Sequence, residues 1–146
     1  MVDILHQVGV RSTPDKVYGA LTTIEGLEGW WTTNTTGDTD VGGVIAFRFG
    51  PGGFDMEVVE SDRDKHVLWK VVDGPAEWIG TTIDWELRQD GDWTRVLFRH
   101  LGWREPVEFM HHCSTKWALY LMSLKGLIET GKGAPDPHDV KIDSWN

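Results

Sequence analysis

His111, His112 and Cys113 stand next to one another and bring together the side chains best suited to bind a metal or act as a base or nucleophile. Imidazole and thiolate are zinc ligands, so a metal site is the first chemistry to weigh. Successive residues on a helix diverge by about 100°, so three contiguous side chains do not converge on one ion. No metal is assigned: one histidine faces a cavity, the other faces solvent, and Cys113 is a small buried apolar residue. His100 is the other candidate. It shares strand parity with Val96 and Phe98, which carries it to an apolar face where burial favours the neutral imidazole. It could serve as a general acid or base, or as a hydrogen-bonded anchor between the strand end and the last helix. The anchor is preferred, because no second acid, base or nucleophile has an assigned place beside it. Cys113 as a nucleophile would need such a base, so no catalytic residue is assigned.

Indole is the more abundant functional group. The 9 Trp exceed the 5 Phe and 2 Tyr together, an investment in large rings with one polar handle each. Trp69, Trp85 and Trp117 fall on inward faces, and Trp30-Trp31 closes a short helix. Such walls suit an aromatic or polycyclic ligand, or they fill a core.

These residues need elements to hold them. Ile4, His6, Val8 and Val10 share one parity and make a first strand. Thr13-Pro14-Asp15 then opens a helical stretch, with Thr13 as its cap, and Gly26 and Gly29 break that stretch into two short helices. From Thr32 onward, turns at Gly42-Gly43, Pro51-Gly52-Gly53, Asp73-Gly74-Pro75 and Asp90-Gly91-Asp92 separate alternating segments. Ile45, Phe47 and Phe49, then Val67, Trp69 and Val71, then Ile83, Trp85 and Leu87 face inward. Arg48, Arg88, Arg95 and Arg99 face outward among carboxylates, as a paired, solvated ladder. The glycine-rich segment Gly50 to Gly53 lies between two strands, which makes it a turn and not a phosphate loop. Glu105-Pro106 opens a last helix of about 25 residues, whose stripe of Val107, Met110, Trp117, Leu121, Leu124 and Ile128 ends at Gly131. Val140, Ile142 and Trp145 can dock the tail on the body. Exposed apolar positions on the tail, including Ile142 and Trp145, make a symmetric homodimer the expected assembly.

Composition excludes several classes. A net charge of −9 repels a phosphate backbone and an anionic bilayer, so neither nucleic acid nor membrane is expected as a partner. One cysteine permits no internal disulfide and fits a reducing cytoplasm. The residues from Met1 to Arg11 lack the basic start and apolar run of a signal peptide, and the run from Ala118 to Met122 is far too short to cross a bilayer.

The order of strand, two short helices, antiparallel meander and long helix is α+β, with residues 1–146 as one domain. The segment Pro14 to Thr22 with Leu27 and Gly29-Trp30-Trp31 resembles a known amino-terminal signature. Further matches are Gly42-Gly43, Val67-Leu68-Trp69, Thr94-Arg95-Val96 with His100 and Gly102, Trp117 to Leu121 with Leu124, and Gly131-Lys132-Gly133. Together they resemble proteins related to the carboxy-terminal domain of the heat-shock-protein-90 ATPase activator, within the START-like (SRPBCC) superfamily. The resemblance implies a helix-grip: a curved antiparallel sheet of six to seven strands wrapping a long carboxy-terminal helix over a hydrophobic cavity. It implies no shared catalytic motif, and no cofactor is expected. The pocket positions it implies here are Trp30, Trp31, Phe47, Phe49, Trp69, Ile83, Trp85, Phe98, His100, Ser114, Trp117 and Leu121. A small hydrophobic ligand, cyclic or aromatic, is the expected occupant. The alternatives are a chaperone-binding module and a cyclase- or hydrolase-type enzyme using a pocket histidine.

Overall fold

Alternation in the first ten residues produces strand β1 (Val2–Val10), in which Ile4 and Val10 are buried and Asp3 and Leu5 face out. The computed structural model describes all 146 residues. Helices α1 (Pro14–Thr22) and α2 (Ile24–Trp30) come next, as the two broken stripes predict. Thr13 occupies the cap of α1 but makes no capping bond through its side chain. Its hydroxyl bonds the Asp15 carboxylate instead, and that bond holds the acid below its usual range. Thr23 does cap α2, accepting from the Gly26 amide at 3.0 Å.

The meander supplies β2 (Asn34–Gly37), β3 (Val44–Phe49), β4 (Gly52–Asp62), β5 (His66–Asp73), β6 (Thr82–Asp90) and β7 (Trp93–Trp103). They form one seven-stranded antiparallel sheet in the order β1-β7-β6-β5-β4-β3-β2. Period two sorts the faces as expected. Phe47, Val67, Trp69, Ile83, Trp85, Val96, Phe98 and His100 are fully or almost fully buried on one side. On the other, Arg48 pairs with Asp55 at 2.8 Å, and Arg99 with Asp84 at 2.9 Å and Glu86 at 3.0 Å. Register shifts between Asp55 and Met56 and between Val58 and Glu60 bend the sheet where β4 meets β5. At the β3–β4 turn, Gly53 is obligatory: a Cβ there would lie 2.0 Å from the Phe47 carbonyl oxygen, at a φ of +151°.

Helix α3 (Glu108–Thr130) runs for 23 residues against the buried face, with Trp117, Leu121 and Leu124 in the same core as the strand residues. It starts later than Glu105-Pro106 predicts. The residue before a proline is held out of the helical region, and Val107 is still extended. Gly131, at φ +83°, ends the helix by donating to the Leu127 carbonyl at 2.9 Å. No helix is long and apolar enough to cross a membrane.

The tail docks more through polar anchors than through the apolar residues expected. Asp136 N–H donates to the Trp31 carbonyl at 2.8 Å, Thr33 N–H to that of Asp136 at 3.1 Å, and Ala134 N–H to Ser123 Oγ at 2.7 Å. Gly133 passes so close that a Cβ would sit 2.4 Å from the Gly29 oxygen. Lys116 pairs with Asp139 in the interior, while Val140 and Trp145 remain 62% and 54% exposed. Polar anchors win because every amide of an irregular segment laid against a core needs a partner.

Candidate functional site

Trp31, at the end of α2, is the hub of an aromatic network reaching from the sheet to α3. Its ring centre lies 4.3 Å from Phe47, 5.0 Å from Trp117, 5.3 Å from Trp30 and 6.0 Å from Trp69. On one side of this hub the space between sheet and helix is solid. Trp85 meets Trp30, Trp69 and Phe98 edge to face at centre distances of 5.6, 5.6 and 4.9 Å. Trp30 Nε1 donates to the Ala20 carbonyl at 2.9 Å, whereas Trp85 Nε1 finds no partner.

His100 ties this region to α3 and to the β5–β6 loop. Trp117 Nε1–H donates to His100 Nδ1 at 3.2 Å, so Nδ1 is bare and Nε2 carries the proton. Nε2–H donates to Thr81 Oγ1 at 2.8 Å, and that hydroxyl donates to the Trp78 carbonyl at 2.6 Å. Burial lowers the imidazole to about 3. With both nitrogens occupied, His100 fits the role of a hydrogen-bonded anchor.

On the other side of the hub lies a cavity of about 320 Å³. Trp31, Phe49, Phe54, Trp78, Trp117 and Tyr120 form its apolar walls, Gly52 and Gly53 its edge at the β3–β4 turn, and Trp145 and Asn146 of the tail its rim. Three of these rings are close to parallel. Phe54 stacks on Trp78 at 4.5 Å with 26° between planes, and Trp78 lies 5.9 Å from Trp117 at 14°.

The polar groups of the wall are neutral or paired. Burial pushes the Cys113 thiol up to about 12, so it stays protonated and a poor nucleophile. Burial also raises the Tyr120 phenol, which donates to Asp139 Oδ2 at 3.0 Å. Burial alone would raise Asp139 as well, but hydrogen bonds from Lys116, Lys141 and Tyr120 outweigh it and keep the carboxyl ionised. His112 lines the cavity with Nδ1 2.7 Å from Asp143 Oδ2, and His111 is exposed. Glu108 stands three and four residues before these histidines, a ligand spacing that sequence reasoning overlooks. The structure puts its backbone carbonyl, 3.1 Å from His111 Nδ1, at that place.

Of the twelve pocket positions named from sequence, the cavity gathers Trp31, Phe49 and Trp117. Trp30, Phe47, Trp69, Ile83, Trp85, Phe98, His100 and Leu121 are packed among themselves in the solid region. Ser114 lies toward β1, with its carbonyl and hydroxyl at 3.0 and 3.2 Å from His6 Nε2. Sequence reasoning missed Phe54, Trp78, Phe109 and Tyr120. Tyr120 was legible in principle, one helical turn before Leu124 and three residues after Trp117. Trp78 was not, since it stands in a loop without periodicity.

Known proteins share this architecture. The family described as "Activator of Hsp90 ATPase homolog 1-like protein" matches residues 11–129. No curated protein matches. Among solved structures, the Aha1 dimer from Colwellia psychrerythraea is 44% identical, with a TM-score of 0.85 over 91% of this chain and 100% of that one. SSP2350 from Staphylococcus saprophyticus is 16% identical, with a TM-score of 0.76 over 90% and 95% of the two chains. CalU16 from Micromonospora echinospora is 17% identical, with a TM-score of 0.74 over 86% and 73%. The last two are likenesses of fold.

Proposed function

We propose that this chain, which belongs to the Activator of Hsp90 ATPase homolog 1-like family, binds a small, flat, cyclic hydrophobic molecule. The observation that carries this reading is the near-parallel set Phe54, Trp78 and Trp117 along a cavity of about 320 Å³. That volume falls at the lower end of ligand pockets, which run from roughly 300 to 1,000 Å³. Flat walls favour a compact fused-ring compound over a straight acyl chain. Trp31, Phe49 and Trp117 touch the ligand, and the other named positions, Ser114 apart, hold those rings in place. The neutral thiol of Cys113 and the occupied nitrogens of His100 support binding over turnover. The unpaired Cys113 supports a reducing, cytoplasmic setting.

The test is native mass spectrometry of protein purified gently from its host, with fluorescence titration by 9-fluorenone as a defined planar probe. The expected results are a co-purifying apolar compound and saturable quenching of tryptophan emission. An empty protein that also fails to respond to planar probes overturns the reading.

A second reading concerns protein partners. The Colwellia relative, 44% identical over its whole length, is a dimer, which supports self-association of this chain. The family description supports a chaperone as a heterologous partner. Copurification with an Hsp90-type ATPase, and a change in that ATPase rate, test the latter.

A further inference from the structure

The outer face of α3 breaks the surface pattern of the rest of the molecule. The chain holds 37 charged residues, 14 basic and 23 acidic, and exposed apolar side chains elsewhere stand singly beside them. Leu5 pairs across the sheet with Arg99, and Val44 with Glu57. On α3, the residues that share a face at three- and four-residue spacing are Thr115, Ala118, Leu119, Met122 and Gly126. Their row runs for about 16 Å without a charge. Met122 is 54% exposed, and Val140 of the tail, 62% exposed, borders the same groove. Lys125 at its margin is turned back onto the Gly9 carbonyl and Glu129, at 2.6 and 2.7 Å. Glu108 and His111 stand before the row and Glu129 and Lys132 after it, while the acid that borders the groove, Asp139, is buried against Lys116.

We infer that this face is where two copies of the chain meet, with their α3 helices antiparallel about a two-fold axis near Leu119 and Met122. The inference rests on the proposed self-association and adds its location. Two molecules of net charge −9 repel each other, so they must meet where acidic groups do not oppose. A two-fold contact also fixes which residues face. With the axis near residue 120, Lys132 comes against the partner's Glu108, and Glu129 against the partner's His111. A parallel pairing would set Glu108 against its own copy and Glu129 against its own. Of the tail residues expected from sequence to make the contact, Ile142 and Trp145 do not border this groove. Trp145 packs on Phe109 and His112 at the cavity rim, at 6.1 and 5.5 Å, and Ile142 is half-buried.

Sedimentation velocity across a concentration series tests the proposal. Wild type is expected to be a dimer, Met122→Glu a monomer, and Leu5→Glu on the opposite side of the molecule a dimer as in wild type. Lys132→Glu should weaken association about tenfold, and adding Glu108→Lys to it should restore the loss. Far-ultraviolet circular dichroism checks that each variant folds. A dimeric Met122→Glu protein overturns the location and leaves self-association standing. Absence of rescue by Glu108→Lys overturns the antiparallel register. A monomeric wild type overturns both the location and the self-association, and leaves the face to a different protein.

Discussion

The space between sheet and α3 is lined by aromatic rings at both ends, yet one end is solid and the other is hollow. Around Trp85, the rings of Trp30, Trp69 and Phe98 lie 67° to 76° from its plane. Edge-to-face packing fills three dimensions, because each edge closes the gap beside its neighbour's face. Around Trp78, the planes of Phe54 and Trp117 lie within 26° and 14°. Stacked rings make walls and leave the space beside them open. The supports differ as well. At the solid end, α3 is held to β1 by His6 against Ser114 and by Lys125 on the Gly9 carbonyl. At the hollow end, rings from the end of α2 and from β3, β4 and α3 are completed by Trp78 from a loop, with a glycine turn and the tail as edge and rim. Tryptophan count therefore does not decide between core and cavity. Interplanar angle alone does not either, since Trp31 stacks on Trp30 at 9° and on Trp69 at 12° without leaving a gap; the element behind each ring contributes as well.

The largest expected effect separates the two ends by stability. Trp85→Ala removes a fully buried ring from the solid end and should cost about 3–5 kcal/mol, read as a lower urea midpoint. Phe54→Ala, at the wall of an existing cavity, should cost less than half as much, because part of that ring already faces open space. Equal losses would break the comparison.

The next effect is on pH dependence and isolates the tie between the ends. His100 is neutral in the fold, at about 3 against 6.5 when unfolded. Below pH 6.5 the unfolded chain takes up a proton that the folded chain refuses, so acidification drains stability until the folded value is reached. The slope contributed approaches about 1.4 kcal/mol per pH unit. Urea midpoints of wild type should fall more steeply between pH 6.5 and 4.5 than those of His100→Gln. Parallel curves would mean that His100 titrates in the fold.

Legibility in the sequence divides along the same line. Strand parity placed Trp69, Trp85, Phe98 and His100 on one face because a two-residue period survives in the residues themselves. Helical spacing placed Trp117 and Leu121 for a similar reason. Parity says which way a ring points, but not its χ2 angle. The sequence therefore could not tell edge-to-face from stacked packing, nor solid from hollow. Phe54 shares parity with the buried Met56 and Val58 of β4 and was legible by the same period. Trp78 and the tail escaped for a different reason: they are held by the Thr81–Trp78 bond and by backbone bonds between Asp136 and Trp31, and neither leaves a period. Thr13 shows the limit at short range. Its type suits a cap, but Asp15 two residues on competes for the hydroxyl.

The smallest effect on stability sharpens the comparison most for function. Trp145 is half-exposed at the rim of the hollow end, its ring centre 6.1 and 5.5 Å from those of Phe109 and His112. Trp145→Ala should change unfolding free energy by no more than about 0.5 kcal/mol, the range of ordinary surface substitutions. Yet the same ring lines the exposed rim of the cavity. Its removal should speed 9-fluorenone release in stopped-flow measurements while leaving the urea midpoint in place. A lining ring such as Trp117 could not separate the two readouts, because its N–H holds His100 and its loss would disturb both ends. Unchanged release from Trp145→Ala would show that ligand enters elsewhere, past Gly52 at the β3–β4 turn, which is the other exposed part of the rim.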